Sequence, residues 1–445
     1  MYRKTTHHGA GTRKGFAARA AIAIALASGL TLGGVALSTP AAAKDKKEEA
    51  PKPEGNSKAF AEAYAPMMAI VNNPAGDFAA AKAMIPTVQA SIQNASDKNV
   101  FGTALINLGG KLKDTRLETQ GIQLVLDSGK ADPSKVGLFQ FFLGQAAYEA
   151  KNYADARTHF QAAIQAGYTQ NDPRPALAET YFGEGQAAQG LKYLSDVIKQ
   201  EEAAGRKPQS TWVLRGLQVA YQAKLAPQAT EYSDMLVRNY PSPQSWLDAL
   251  QVVRVINPFD EQSQLDLLRL MRATGSLKDH TDYVEYVQAA DPRRLAGEVL
   301  AVLDEGLKAG ALTTGDPVYT EAKATATTRV AVDRKDAPAL AADAKSAANG
   351  TTAQGAGDAF YSLGDYGQAA AMYQLAVDKG VKDKDMVLTR LGIAQVNQGQ
   401  LAQAKATLQK VGGARTTIAT MWIAYIDTKS APPSPPTPPA PPRAG

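Results

Sequence analysis

The sequence contains no cysteine and only four histidines in 445 residues. The missing thiols exclude disulfides, thiolate nucleophiles, Cys-ligated metals and a lipid anchor on a cysteine after a leader. His7 and His8 lie in the first eight residues, which leaves His159 and His280 for the body of the chain. Two isolated imidazoles are too few for a transition-metal site. Aromatic residues are sparse at 7%, and alanine is abundant, as close helix packing favours. There is no phosphate loop, zinc-protease helix, nucleophile elbow or dinucleotide fingerprint. Adjacent carboxylates such as Asp304 and Glu305 point about 100° apart on a helix, so they do not form an acid–base pair. His159 stands beside Phe160 and reads as a packing residue, and His280 reads as a helix start. The expectation is a chain with no catalytic residues, no cofactor and no metal.

What the chain has is a leader. Arg3, Lys4, Arg13, Lys14 and Arg19 precede an apolar stretch from Ala20 to Leu37, and Ala41-Ala42-Ala43 supplies small residues for cleavage. This pattern predicts a signal peptide over residues 1–43, with export to the periplasm and no stable membrane insertion after cleavage. The rival reading is an uncleaved anchor, which Gly29, Gly33 and Gly34 dilute. The leader's five basic residues account for the whole formal charge of +5, so the mature chain is neutral. That gives no support for nucleic-acid or anionic-membrane binding.

Residues 44–56 are charged and contain proline, and read as a flexible linker. Residues 429–445 read as a disordered tail in which Ala431 to Pro442 holds eight prolines in twelve residues. In polyproline II form that stretch reaches at most about 37 Å.

Residues 57–428 read as helical almost throughout, with apolar residues recurring at three and four. The breaks are periodic. In Gly137–Tyr168 a helix and a short turn lead to a second helix on which Ala156, Phe160 and Ala163 share one face, with Gly167 just past its end. Ala369, Tyr373, Ala376 and Gly380 repeat the arrangement, as do Ala404, Leu408 and Val411, and Ala81, Ile85 and Val88. Gly129 and Gly310 are further cap-like glycines. With Leu143-Gly144 and Leu391-Gly392 on the first helices, the chain resembles the tetratricopeptide repeat (TPR) family. Positions equivalent to Gly144 fall at Ala69, Ile106, Ala178, Gly216, Leu250, Val287, Ala322, Gly357 and Gly392, 34 to 38 residues apart. The resemblance implies an all-α, right-handed superhelical α-solenoid of about ten helix pairs, most regular over 137–170, 350–383 and 385–413. The Ala- and Thr-rich region from Ala311 to Asn349 is the least regular, and a bend or loose joint is expected there. Ile418, Met421, Trp422, Tyr425 and Ile426 form one stripe, expected on a helix that closes the last repeat.

The resemblance also implies that first helices line a concave groove. Phe141, Gln145, Tyr148 and Glu149 would face it in one unit, and Gln354, Asp358, Tyr361 and Ser362 in another; Tyr148 and Tyr361 read equally as residues that pack against the next repeat. The Lys and Asn clamp that some relatives use for a terminal carboxylate is absent from these positions. The expected function is a non-catalytic scaffold of the bacterial cell envelope that binds a protein or peptide in this groove. The alternative is a factor that binds or processes glycan or peptidoglycan, since exposed tyrosines beside carboxylates suit sugars as well as peptides.

Overall fold

The computed structural model describes residues 55–430. The readings for the signal peptide, the linker up to residue 54 and the tail beyond residue 430 lie outside the described residues. The chain is an all-α solenoid, and its described residues fall into two compact units divided after Tyr168.

Unit 1 holds α1 (Lys58–Val71), α2 (Phe78–Ala83), α3 (Ile85–Ala90), α4 (Ala95–Leu112), α5 (Thr115–Asp127), α6 (Pro133–Glu149) and α7 (Tyr153–Gln165). Pro86 lacks the N–H that would join α2 to α3, so the two are one interrupted helix. They pair with α1, and α4 pairs with α5 and α6 with α7.

Unit 2 begins with four pairs: α8 (Pro173–Gly183) with α9 (Ala187–Ala203), α10 (Ser210–Gln222) with α11 (Ala226–Asn239), α12 (Pro243–Ile256) with α13 (Glu261–Thr274), and α14 (His280–Ala290) with α15 (Ala296–Lys308). A single long helix follows, α16 (Pro317–Ser346). Then come α17 (Thr351–Ser362) with α18 (Tyr366–Lys379), α19 (Lys384–Asn397) with α20 (Leu401–Leu408), a 3-10 turn over Gly413–Arg415, and α21 (Thr416–Ser430).

The repeat frame holds in the packing from α4 onward; in the first pair Ala69 is exposed and Ile85 only half-buried, so the frame is not borne out there. The ten close-approach positions fall one each on α1, α4, α6, α8, α10, α12, α14, α16, α17 and α19. Four of them are glycines that meet a large side chain sixteen residues on: Phe160 for Gly144, Tyr232 for Gly216, Tyr373 for Gly357 and Leu408 for Gly392. A methyl group on any of these glycines would lie 2.0–2.6 Å from that side chain. Ala156, Phe160, Ala163, Ala369, Tyr373, Ala376, Ala404, Leu408 and Val411 are all buried. The glycines expected as caps, Gly129, Gly167, Gly310 and Gly380, have positive φ, which a residue without Cβ adopts at no steric cost. Aspartates start many of the helices; the carboxylates of Asp114, Asp132, Asp172, Asp260, Asp279, Asp316, Asp365 and Asp383 accept from first-turn N–H groups.

Ala156 is fully buried on α7, which packs against α6. Ala156→Leu should therefore overpack this pair and destabilise unit 1 by about 1–3 kcal/mol. Thermal melting followed by circular dichroism measures this, and an unchanged midpoint would refute the assigned frame.

The region expected to be a loose joint is corrected. Pro317–Ser346 is one continuous helix of 30 residues that carries Pro338 inside it. Its sequence holds nine alanines and no glycine. An alanine-rich run without glycine carries the helix through the position where other units reverse, and past Pro338. Its middle, residues 327–336, has no buried residue.

Candidate functional site

The expected terminal helix exists, but it does more than close the last pair. Besides α20 and α19, α21 packs on α11 and α13, earlier in unit 2. Ile418, Met421, Trp422 and Ile426 are buried along it. The Trp422 indole N–H donates to the Asp266 carbonyl at 3.1 Å, and the Tyr425 hydroxyl donates to the Ala273 carbonyl at 3.2 Å. Tyr425 also meets the Trp246 ring edge-on, with centroids 6.1 Å apart. Near the helix end Asp427 accepts from Arg238 of α11 and from Lys405 of α20, both at 2.6 Å.

Under this closure lies a buried ionic network. Asp266 is fully buried. Its carboxylate is 2.8 Å from Arg269, 2.6 Å from Arg415 and 3.5 Å from Arg390. Arg269 grips Glu298 with two hydrogen bonds of 2.8 and 2.7 Å, and the Tyr286 hydroxyl donates to the same carboxylate at 2.7 Å. Arg390 donates to both oxygens of Asp358, at 2.8 and 3.0 Å, and to the Gln262 amide oxygen at 2.6 Å. The Tyr373 hydroxyl completes Asp358 at 2.7 Å. Three guanidinium groups therefore face three enclosed carboxylates, which balance in charge, and the exposed Asp260 lies 3.9 Å from Arg415 at the edge. Balanced charge and many hydrogen bonds are what let such ions stay buried.

Burial alone would push the Asp266 carboxyl up, but Arg390, Arg269 and Arg415 together hold it below the usual carboxylate range. Glu298 behaves alike: burial opposes ionisation, and Arg269 and Tyr286 overcome it. A folded-state pKa below the unfolded value gives stability that is present above the unfolded pKa and lost as pH falls through the folded one. Unit 2 should thus keep its melting temperature down to about pH 4 and lose it progressively below that. Calorimetry across an acid series measures this, and Asp266→Asn should flatten the acid limb.

The eight positions expected to face a groove have different fates. Tyr361 is only 7% exposed, with the Arg269 guanidinium 4.3 Å over its ring and the Asn397 amide donating to its hydroxyl at 3.1 Å. Ser362 is 6% exposed, and its hydroxyl oxygen accepts from the N–H groups of Gly297 and Glu298 at 3.0 and 3.2 Å. It thereby caps α15, which lacks a side-chain cap of its own. Asp358 belongs to the ionic network, and Gln354 is half-buried. The expectation that Asp358, Tyr361 and Ser362 look into an open groove is therefore corrected: unit 2 uses them for its own packing.

In unit 1, Phe141 is buried against Phe160 and Tyr168, at centroid distances of 5.7 and 5.1 Å, so its expected exposure is corrected too. Gln145 and Glu149 are exposed on α6. Tyr148 is half-exposed and packs edge-on to Tyr153 at 5.4 Å. His159 pairs its Nδ1 with the Gln140 amide oxygen at 2.7 Å, and His280 sits at the first position of α14 and pairs with Asp316. Among the described residues no group of His, Cys, Asp and Glu is placed to hold a metal ion, and no helix is long and apolar enough to cross a membrane.

No protein-family model matches the chain, and no curated protein does. Among solved structures, one similar chain comes from a structure of Naa15/Naa10 bound to HypK-THB. It is 14% identical, with a TM-score of 0.37 over 79% of this chain. The present chain spans 57% of that chain's length.

Sequence reasoning missed the ionic network. The repeat frame held a signal for it. Sixteen residues after each close-approach glycine stands a large apolar or aromatic residue, yet sixteen after Leu250 stands Asp266. A carboxylate at a core position of the frame announces a buried partner.

Proposed function

We propose that this chain is an exported, non-catalytic scaffold of the bacterial cell envelope, of TPR type. In this reading it holds a protein or peptide partner on the α6 face of unit 1, through Gln145, Tyr148 and Glu149. The observation that carries it is the contrast between the units. Unit 2 uses the equivalent Asp358, Tyr361 and Ser362 for its own packing, whereas Gln145, Tyr148 and Glu149 of α6 remain at least partly exposed, though Phe141 is buried. A partly exposed tyrosine flanked by Gln and Glu offers an apolar body and hydrogen-bonding groups together.

A photoreactive residue at Tyr148 in intact cells tests this. It should capture one envelope protein, whereas the same residue at buried Tyr361 should capture none. No protein adduct at Tyr148, with retention of the mature chain on purified cell-wall glycan, would replace the reading with a glycan-binding one. The export part is tested separately: mass spectrometry of the mature protein should find Lys44 as its first residue.

A further inference from the structure

The uninterrupted helix α16 leaves a cleft of about 290 Å³ between itself, α17 and the connection from α14 to α15. Its apolar floor includes Leu295, Ala337, Leu340 and Ala359. Gly355 on α17 has no atom within 4 Å of where a Cβ would stand, so that wall is open. Arg293 and Arg294 line the opposite side, both exposed.

The lining holds three arginines and three aspartates and is balanced in formal charge, but its groups are not all paired with one another. Arg329 is held by Asp333 at 2.7 Å. Asp358 is held by Arg390 and Tyr373 from the network side. That leaves Arg293, Arg294 and Asp336, and among the described residues none of these three side chains has a hydrogen-bond or ion-pair partner. The unmatched groups carry a net positive charge. Two adjacent guanidiniums over an apolar floor can each take a carboxylate with two hydrogen bonds. Departures from local regularity are expected at functional or strained sites, and the cleft is lined by the single helix α16, which departs from the paired pattern.

We propose that the cleft binds an acidic peptide segment, whose carboxylates meet Arg293 and Arg294 and whose small apolar side chains lie on Leu295 and Leu340. This cleft belongs to unit 2 and the α6 face to unit 1, so cross-linking at Tyr148 and peptide binding with Arg293 and Arg294 changed test the two readings by different residues.

The experiment is fluorescence anisotropy with residues 44–445 and a labelled peptide of alternating Asp and Ala, compared with its Lys counterpart. The acidic peptide should bind more tightly, and its binding should weaken with added salt. Arg293→Glu combined with Arg294→Glu should weaken binding by at least about tenfold, and Asp336→Asn should strengthen it. Both arginines are exposed, so the melting temperature should hold; if charge reversal lowers it, Arg293→Gln with Arg294→Gln carries the same test. Equal affinity for the two peptides, or unchanged affinity in the charge-reversed protein, would overturn the proposal. Displacement of the peptide by an equal concentration of inorganic phosphate would overturn it too, in favour of a small free anion.

Discussion

A chain ending at Gly412 should lose the cooperative unfolding transition of unit 2. The truncation removes Ile418, Met421, Trp422 and Ile426, all buried. Each such side chain contributes about 1.5–3 kcal/mol by leaving water, so the loss is roughly 6–12 kcal/mol. A domain's whole stability is about 5–15 kcal/mol. The truncation also removes Arg415 from Asp266, which leaves a buried carboxylate short of one cation. A chain ending at Ser430 keeps every one of these contacts and should melt like the full-length protein. Urea unfolding of the two truncated chains makes the comparison, and equal midpoints would refute the role given to α21.

Replacing Asp266 by Ala should be the most damaging single substitution in unit 2. Arg269, Arg390 and Arg415 would then share two carboxylates, and the buried group would carry an unbalanced positive charge. Breaking a buried ion pair on one side costs about 3–5 kcal/mol. Asp266→Asn keeps the shape and a hydrogen-bond acceptor, so it should cost less in the same direction. Glu305→Ala is the control. Its pair with Arg272 is partly exposed, and such pairs are worth little. If Asp266→Ala costs no more than Glu305→Ala in urea unfolding, the network is not structural.

Nine of the ten expected helix pairs, and most of the repeat register, were legible because both depend on local spacing; the tenth is the single helix α16. Ala156, Phe160 and Ala163 lie within eight residues, and the glycine-to-aromatic distance recurs within one unit. The ionic network was not legible in the same way. Asp266 and Arg415 stand 149 residues apart, one on α13 and one in the 3-10 turn, and each in its local sequence resembles a solvated charge. The apolar stripe of α21 showed that this helix would be buried, but not that α11 and α13 would bury it. Tyr148 and Tyr361 hold the same register in their repeats, and nothing local separates them. Arg269 and Asn397, far from Tyr361 in sequence, decide that it is covered. In α16 the signal is local: nine alanines and no glycine give the segment no break between two helices.

The return of α21 to α11 and α13 also sets the order in which unit 2 can assemble. A strictly linear repeat array gains stability from neighbours alone and can start folding at any point. Here Arg238 must find Asp427, 189 residues later, and Gln262 must find Arg390, 128 residues later. Closing such long loops costs entropy before any contact repays it, and non-local contacts slow folding. The contacts of α21 therefore form late, after the helix pairs they join. Substitutions in this helix should speed unfolding while leaving the folding rate nearly unchanged, the kinetic signature of a clasp rather than a nucleus.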